Sequence, residues 1–442
     1  MKTRLAFVLM IAATLRLAAD PATPPAPTDP STPLTLEECL QIATGRHPSL
    51  AAARAGVTAA NGAVGEARAP YQPQVDLSAG YHRLQTRAFL PSGLSLPGHA
   101  LPELIGPLDD WTAGLASRYT LYDFGARRAG LDTALANRGA AEADSATTKA
   151  QVRLSVQSAF FALAAAQDLQ AVALRNLERT RRHLQMAVIR HETGAAPKAD
   201  VLRLQAEVAS AQLELINTRS TVQVSGGRLN TAMGRSAETP VTISLPATGA
   251  ASAIPDLAAD LARALARRPE LENAARHTVA ARAAVASARA SRAPQLHADA
   301  SYGWNDTAWL PETREWRAGL SVDVPVFDGG ARASRIARAR AEVDRSEAEL
   351  ENRQLQIRQE VWSAHAELER AGAAIAANET NVSASEESLR VTQERYQNGA
   401  AVLTDLLDTQ TALARAEASL AIARWDYQTA RATYERATGE QL

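Results

Sequence analysis

The residues of this sequence that could do chemistry do not gather into a site. The histidines, among them His47, His183, His191 and His365, are scattered and are not spaced as metal ligands are on a helix. The single cysteine, Cys39, can form no disulfide within the chain, and no metal-ligand spacing surrounds it. No nucleophile or acid–base pair is evident either. We therefore expect a protein that is not an enzyme and that uses no metal or cofactor.

The amino-acid composition further limits the kinds of protein that this chain can be. The formal net charge is −1 and no basic stripe is present, which argues against nucleic acid as a partner. Aromatic residues make up only 5 % of the chain and alanine is abundant, a mixture typical of long packed helices. The Arg- and Glu-rich run over residues 338–349 is most simply a solvated helix face or a set of inter-helix ion pairs.

The first residues predict an export signal. Lys2 and Arg4 precede an apolar core from Leu5 to Leu15, so residues 1–19 are assigned as a signal peptide and the Pro- and Thr-rich residues 20–33 as an extended leader. The residues before Cys39 are not those of a lipoprotein signal, and we expect no lipid anchor. No later apolar run reaches the roughly 18 residues of a transmembrane helix. A role in a membrane would therefore have to use strands.

The chain is internally duplicated. Motifs recur first at a spacing of 221 residues and then at 205, and the spacing changes only once, between Pro73 and Trp111. One insertion in one loop explains that change, so we assign repeats at residues 34–239 and 256–442 with a linker at 240–255. The matching positions include Arg46-His47-Pro48 with Arg267-Arg268-Pro269, Tyr122-Asp123 with Phe327-Asp328, Gly194 with Gly399, and Asp200 with Asp405.

Each repeat predicts a helix, two strands, a long helix and a shorter helix. The first repeat opens with a capping box at Thr35 and Glu38, and its helix is expected to run to about Ala69. The second opens at Asp256, a good N-cap residue, and its helix should end before Pro294.

The strands alternate between an apolar and a polar face. This pattern is typical of a transmembrane barrel, in which the apolar face meets lipid and aromatic residues anchor the ends. A soluble two-faced sheet alternates in the same way, so the strands alone leave both structures open. The apolar face is assigned to Val75, Leu77, Ala79, Tyr81, Ala113, Leu115, Tyr119 and Leu121, and in the second repeat to Leu296, Ala298, Ala300, Tyr302, Trp304, Trp316, Ala318, Leu320, Val322 and Val324.

The helices favour the membrane interpretation. Apolar residues recur every seven positions from Val343 to Ile357, and again from Val361 to Tyr396 after a four-residue shift. Such a seam indicates coiled-coil packing with a stutter. A helix of roughly 67 residues, from about Ala331 to Gln397, would span about 100 Å, and the two shorter helices laid end to end match it. This predicts the wall of a tall tube. Four strands cannot close a barrel in lipid, so the chain must oligomerise, although the number of copies does not follow.

Six short segments carry a family resemblance: Leu34-Thr35-Leu36-Glu37-Glu38, Arg46-His47-Pro48, Tyr122-Asp123-Phe124-Gly125, Val326-Phe327-Asp328-Gly329-Gly330, Arg395-Tyr396-Gln397-Asn398-Gly399 and Asp405-Leu406-Leu407-Asp408. Through these segments the chain resembles the TolC family of outer-membrane efflux factors over essentially its whole mature length. The resemblance implies a mainly α-helical protein with membrane β-strands, in which a homotrimer forms a 12-stranded barrel in the outer-membrane lipid, continued by a coiled-coil α-barrel in the periplasm. Loops near 83–110 and 305–315 would face outside.

The resemblance also implies a function and its partners. Such channels are passive ducts of tripartite efflux or type I secretion systems, supplied by a periplasmic adaptor (membrane fusion) protein and an inner-membrane pump. Four methionines give no support for a copper-specific lining, and the substrate is not indicated. The alternative is a soluble periplasmic coiled-coil adaptor or structural protein, which explains the signal and the heptads but not four amphipathic strands.

Candidate functional residues lie at the two helix-to-helix turns. Glycine at Gly194 and Gly399 suits a helix C-terminus, and by resemblance these turns form the periplasmic tip. By the same resemblance Asp405 and Asp408 ring a narrow entrance, where three copies place six carboxylates and attract cations. The alternative for Asp405 is a helix cap.

The closure of the tip also follows from the resemblance. Asp200 would hydrogen-bond Tyr396, whereas the alternative is that Tyr396 only ends the heptad seam. Well-known members carry an arginine two residues after the second-turn glycine, but here that position is Ala401. Lys198 is the substitute that the sequence suggests.

Overall fold

A computed structural model describes residues 33–87, 104–245, 256–309 and 312–440. The predicted signal peptide and nearly all of the leader lie outside these residues, as do parts of the linker and of both strand-to-strand loops. Within the described part of the chain, no helix is both long enough and apolar enough to cross a membrane.

Both repeats have the predicted order of elements. The first contains α1 (Leu36–Arg46), α2 (Pro48–Arg68), β1 (Gln74–Arg87), β2 (Leu104–Tyr122), α3 (Ala126–Glu192) and α4 (Lys198–Ala232). The second contains α5 (Leu257–Arg267), α6 (Pro269–Ala290), β3 (Gln295–Asp306), β4 (Arg314–Asp323), α7 (Ala331–Gln397) and α8 (Leu403–Thr438). The capping box of Thr35 and Glu38 and the N-cap of Asp256 are both present.

The prediction of one continuous opening helix was wrong. The helix is interrupted at His47 (φ −64°, ψ 126°), and α2 restarts with Pro48 as its first residue. Proline lacks an amide hydrogen and disfavours a helical conformation in the residue before it, so the break in the helix follows from Pro48 itself. His47 Nδ1 accepts a 3.2 Å hydrogen bond from the Ser49 amide and caps the new helix. Arg268 and Pro269 repeat this break in the second copy.

The long helices confirm the heptad prediction. Both α3 and α7 contain 67 residues, which is about 100 Å of helix. Each begins at a left-handed glycine, Gly125 or Gly330, and the preceding Asp123 or Asp328 accepts a 2.8 Å bond from a first-turn amide. The predicted seam residues are buried or half-buried. Those of α7 pack on α8 in a cluster that includes Ile357, Val361, Leu368, Tyr427 and Tyr434.

The helices form a row with two outer edges. α3 contacts α2 and α4 as well as α6 and α8, and α7 contacts α6 and α8 in turn. The short helices meet end to end, as predicted, because Gly234 just after α4 lies against His47 and Pro48 at the start of α2. The row therefore runs from α2 and α4, through α3, through α6 and α8, to α7. In the described residues no extensive contact joins α7 back to α2 or α4.

The four strands form one antiparallel sheet in the order β1-β2-β3-β4. Directly opposed residues share a face, and one row of the register joins Leu77 to Leu115, Leu115 to Tyr302 and Tyr302 to Trp316. All the residues predicted for the apolar face of the paired segments lie on this side, with one exception. The register shifts between Thr120 and Tyr122, so Tyr122 rather than Leu121 lies opposite Leu296.

The polar face of the sheet carries a connected network. Arg118 forms a 2.8 Å ion pair with Asp299, and the Ser321 hydroxyl donates to the same carboxylate at 2.7 Å.

A further correction concerns Val324, which was expected in the last strand, whereas β4 ends at Asp323. The following Pro325 has no amide hydrogen to contribute to a ladder, and this limits the strand.

Candidate functional site: the helix-hairpin end

Two hairpin turns define the candidate site, one between α3 and α4 and one between α7 and α8. Gly194 (φ 77°) and Gly399 (φ 72°) are both left-handed, as expected for glycine after a helix. Ala195 N–H donates to Arg190 O at 2.7 Å, and Ala400 N–H donates to Arg395 O at 2.8 Å. These bonds satisfy carbonyls that a helix end leaves free, so each turn is a Schellman motif.

The two turns lie at the same end of the helical row. Leu204 of α4 and Leu406 of α8 are fully buried in one apolar cluster together with Tyr396 of α7 and Ala187 of α3. Ala401, at the position where the resemblance led us to expect arginine, is half-buried against this cluster. The hairpins of both repeats are thus packed together, and residues 205 positions apart in the sequence become neighbours in space.

Asp405 and Asp408 are both exposed near the start of α8. The N-cap of this helix is Val402, which has no capping side chain, so Asp405 does not occupy the cap position that was its alternative role. Residues three apart on a helix share a face, which places the two carboxylates side by side. Neither forms an ion pair or a side-chain hydrogen bond with another described residue. Within the described residues both carboxylates are therefore exposed and unpaired.

The hydrogen bond expected between Asp200 and Tyr396 is not formed in the described structure. Asp200 is half-buried in the first turn of α4, and Tyr396 is only 7 % exposed. Burial raises the pKa of the Tyr396 hydroxyl, and the charge of Asp200 raises the pKa further. In the described structure the charge of Asp200 thus affects the pKa of the Tyr396 hydroxyl without a direct hydrogen bond.

Arg190 is the residue that joins Tyr396 to the first hairpin, and sequence reasoning missed it. Its guanidinium lies 4.9 Å from the centre of the Tyr396 ring, and Nη1 donates to the Tyr396 carbonyl at 2.8 Å. Lys198, the cation suggested by the sequence, is exposed and makes no such contact. A signal was present, because Arg190 precedes Arg395 of the RYQNG segment by the same 205 residues that relate the two turns.

A polar network lies farther from the turns, between α3 and α8. Gln410 Nε2 donates to Asn176 Oδ1 at 3.1 Å and to the Thr180 hydroxyl at 2.6 Å. Nearby, Arg179 holds Glu417 through two bonds of 2.9 Å. Gln410 is 4 % exposed, so these bonds satisfy donors that burial would otherwise leave unpaired. This network was not predicted.

The described residues contain no group of three or more His, Cys, Asp or Glu side chains that could hold a metal ion. Cys39 is buried and free, and burial raises the pKa of its thiol to about 11.

Comparisons with known proteins agree on one family. Residues 39–235 and 261–440 match the family described as outer membrane efflux protein. Protein CyaE of Bordetella pertussis is 31 % identical over 88 % of this chain and 80 % of its own length. The pyoverdine export outer membrane protein OpmQ of Pseudomonas aeruginosa is 29 % identical over 86 % of this chain and 80 % of its own length.

Solved structures share the fold. The outer-membrane channel OprN superposes with a TM-score of 0.80 at 23 % identity, covering 91 % of this chain and 89 % of its own. VceC from Vibrio cholerae superposes with a TM-score of 0.77 at 20 % identity, covering 91 % of this chain and 96 % of its own. The family match does not favour the alternative of a soluble adaptor. The chain belongs to the outer membrane efflux protein family, and it is a non-enzymatic channel protein of the outer membrane.

Proposed function

We propose that three copies of this chain join edge to edge into a passive export duct that is gated at the hairpin end. The observation that carries this proposal is that, in the described residues, both the sheet and the helical row have two open edges. The sheet ends at β1 and β4, and the helical row ends at α2 with α4 and at α7. A sheet edge in lipid leaves backbone groups unsatisfied, so further copies must cover both edges.

The apolar face of the sheet supports contact with lipid. Leu77, Trp316 and Leu320 are each more than 70 % exposed in the single chain, although they are large apolar residues. Water is a poor environment for such a continuous surface, and a bilayer is a good one. With the number three taken from the family resemblance, the strands make a 12-stranded barrel and the helices continue it as a tunnel in the periplasm.

The gate is assigned to the exposed carboxylates of α8. In a trimer, Asp405 and Asp408 supply six negative charges around the entrance. Such a ring raises the local concentration of cations and holds polyvalent cations especially well. Arg190 and Tyr396 close the same end by joining the two hairpins of one chain.

Energy and substrate selection are assigned to partners. No nucleotide-binding or catalytic motif is evident in the sequence, so a duct of this kind depends on an inner-membrane pump and a periplasmic adaptor. Relatives are named for different cargo: OpmQ for pyoverdine export, and AprF of Pseudomonas aeruginosa for alkaline protease secretion. We therefore assign substrate choice to the pump.

Purification from outer-membrane fractions tests the proposal. In detergent, native mass spectrometry should show three mature chains, and planar bilayers should show a pore that conducts in small steps. A protein that is monomeric and stable in plain buffer, with no pore activity, would rule the duct out.

A further inference from the structure

The internal duplication relates a junction inside the chain to a junction between chains. Inside the chain, α3 of the first repeat packs on α8 of the second. If copies join edge to edge, as proposed above, α7 of one chain meets α4 of the next. α7 is the counterpart of α3, and α4 is the counterpart of α8, both at a spacing of 205 residues. The contacts of the first junction therefore predict those of the second, and this step rests on the proposed function.

The junction inside the chain depends on three polar side chains. Gln410 Nε2 donates to Asn176 Oδ1 at 3.1 Å and to the Thr180 hydroxyl at 2.6 Å. At positions 205 residues away, the sequence places Gln205, Asn381 and Ser385. The three counterparts are again two amides and a hydroxyl, so the same donors and acceptors are available.

The second set of three has no protein partner among the described residues of the single chain. Gln205 and Asn381 are exposed and Ser385 is half-buried, and none of them forms a side-chain hydrogen bond with another described residue. Gln205 lies on α4 and the other two lie on α7, which are the opposite edges of the helical row. One chain cannot bring these edges together, but two neighbouring chains can.

On the same two helices, α4 and α7, two large apolar side chains are exposed although their counterparts in the other repeat are buried. Leu407, in the junction inside the chain, is 7 % exposed, whereas its counterpart Leu202 on α4 is 55 % exposed. Gln157 on α3 is 7 % exposed, whereas its counterpart Trp362 on α7 is 63 % exposed. Leu202 and Trp362 are thus large apolar side chains left exposed at positions whose counterparts are buried. Burying Leu202 and Trp362 against a neighbour removes this unfavourable surface.

We infer that the Gln205 amide of one chain donates to the side chains of Asn381 and Ser385 of a second copy, so that the interface between chains repeats the α3–α8 junction. Three networks within chains then alternate with three between chains around the tunnel. A buried polar contact of this type sets the register of neighbouring helices, because sliding by one turn leaves amides unpaired.

Thiol crosslinking in detergent tests this register. In a Cys39→Ala background, Gln205→Cys combined with Asn381→Cys is treated with a short bis-methanethiosulfonate reagent. We expect covalent dimers and trimers on denaturing gels. Gln410→Cys with Asn176→Cys is the matched control, and it should crosslink without any increase in mass beyond one chain plus reagent.

Displaced pairs define the outcome that overturns the inference. Gln205→Cys is combined with Ala374→Cys or Ser388→Cys, each seven residues from Asn381, and both should crosslink at least tenfold less. Stronger crosslinking at either displaced position would overturn the register while leaving the trimer intact. A monomeric mass before crosslinking would instead refute the proposed duct.

A pair of substitutions gives a second measurement. Leu202→Asp should raise the monomer fraction at least tenfold, because a charge replaces an apolar side chain in the interface. Arg203→Asp should not, since both Arg203 and its counterpart Asp408 are exposed and lie outside the junction. Equal dissociation of both variants would contradict the inference.

Discussion

The guanidinium of Arg190 lies over the ring of Tyr396, and the same side chain donates a 2.8 Å hydrogen bond to the Tyr396 carbonyl. One residue of the first hairpin thereby holds both the side chain and the backbone of the second. The contact lies beside the apolar cluster that packs the two turns together. In the described structure Tyr396 makes this contact and not the hydrogen bond to Asp200 that family resemblance led us to expect.

Arg190→Ala should loosen the closed end. The change removes a cation–π contact of about 1 kcal/mol and a charged hydrogen bond of about 2 kcal/mol, so single-channel conductance should rise several-fold. Tyr396→Phe keeps the ring and the carbonyl and should leave conductance close to that of the unmodified protein. Lys198→Ala is the control for loss of a nearby positive charge. If Tyr396→Phe opens the channel as far as Arg190→Ala does, the hydroxyl group is the closing contact after all.

Asp405→Ala combined with Asp408→Ala should weaken block by polyvalent cations by at least tenfold and raise conductance at low salt. In the proposed trimer six carboxylates would hold cations at the entrance, and their field would be screened as ionic strength rises. Bilayer recordings at about 0.1 M and about 1 M salt measure both effects, and the difference should shrink at high salt. Glu192→Ala removes an exposed charge from the end of α3 and serves as the control. Unchanged conductance and block would show that the carboxylates do not line the entrance.

Gly234→Ala should destabilise the protein more than Gly194→Ala. Both glycines are left-handed, which costs an alanine about 1 kcal/mol. At Gly234 a new Cβ would also lie 3.0 Å from His47 Cα and 3.1 Å from Pro48 Cδ, whereas nothing lies within 4 Å at Gly194. The crowding should add about 1–3 kcal/mol. Thermal unfolding followed by circular dichroism compares the two variants. Equal unfolding midpoints would mean that α2 moves away from residue 234 at no cost in stability.

Glu270→Gln should destabilise the protein by about 3 kcal/mol at neutral pH. Glu270 bonds Arg268 at 2.7 Å and Arg436 at 3.1 Å, and Arg268 is almost fully buried. The variant leaves these two arginines with one charged partner, the half-exposed Glu360, so buried positive charge is only partly compensated. Glu347→Gln, which breaks an exposed pair with Arg282, should cost less than about 1 kcal/mol. Unfolding midpoints at pH 7 provide the comparison.

Glu270 should also make the free energy of unfolding depend on pH. Burial by itself raises the pKa of Glu270, but hydrogen bonds and charge from Arg268, with the charge of Arg436, lower the pKa overall. Because the folded pKa lies below the unfolded value of about 4.3, the contribution to the free energy of unfolding is complete above that value. It is lost as pH falls through the folded pKa. The difference in stability between the parent and Glu270→Gln should therefore shrink below about pH 4, and a constant difference would contradict this assignment.

Sequence reasoning reached much of the candidate site but not its contacts. The turns at Gly194 and Gly399 were predicted with their left-handed conformation, since only glycine adopts it easily. The exposure of Asp405 and Asp408 agrees with an entrance role, which stays a proposal. Arg190 was overlooked because arginines are frequent on these helix faces, and nothing local to it indicates a partner 206 residues away.

The sequence by itself determined the order of elements, the 67-residue length of the long helices, the heptad seams and the apolar face of the sheet. All of these are periodic or local properties, because burial on a helix or strand repeats with the geometry of its own backbone. Only the tertiary structure decided that the register shifts before Tyr122, that Arg190 meets Tyr396, and that Gln410 meets Asn176. Such contacts join residues about two hundred positions apart or depend on strand pairing, so they arise from how whole elements pack and not from the chain beside them.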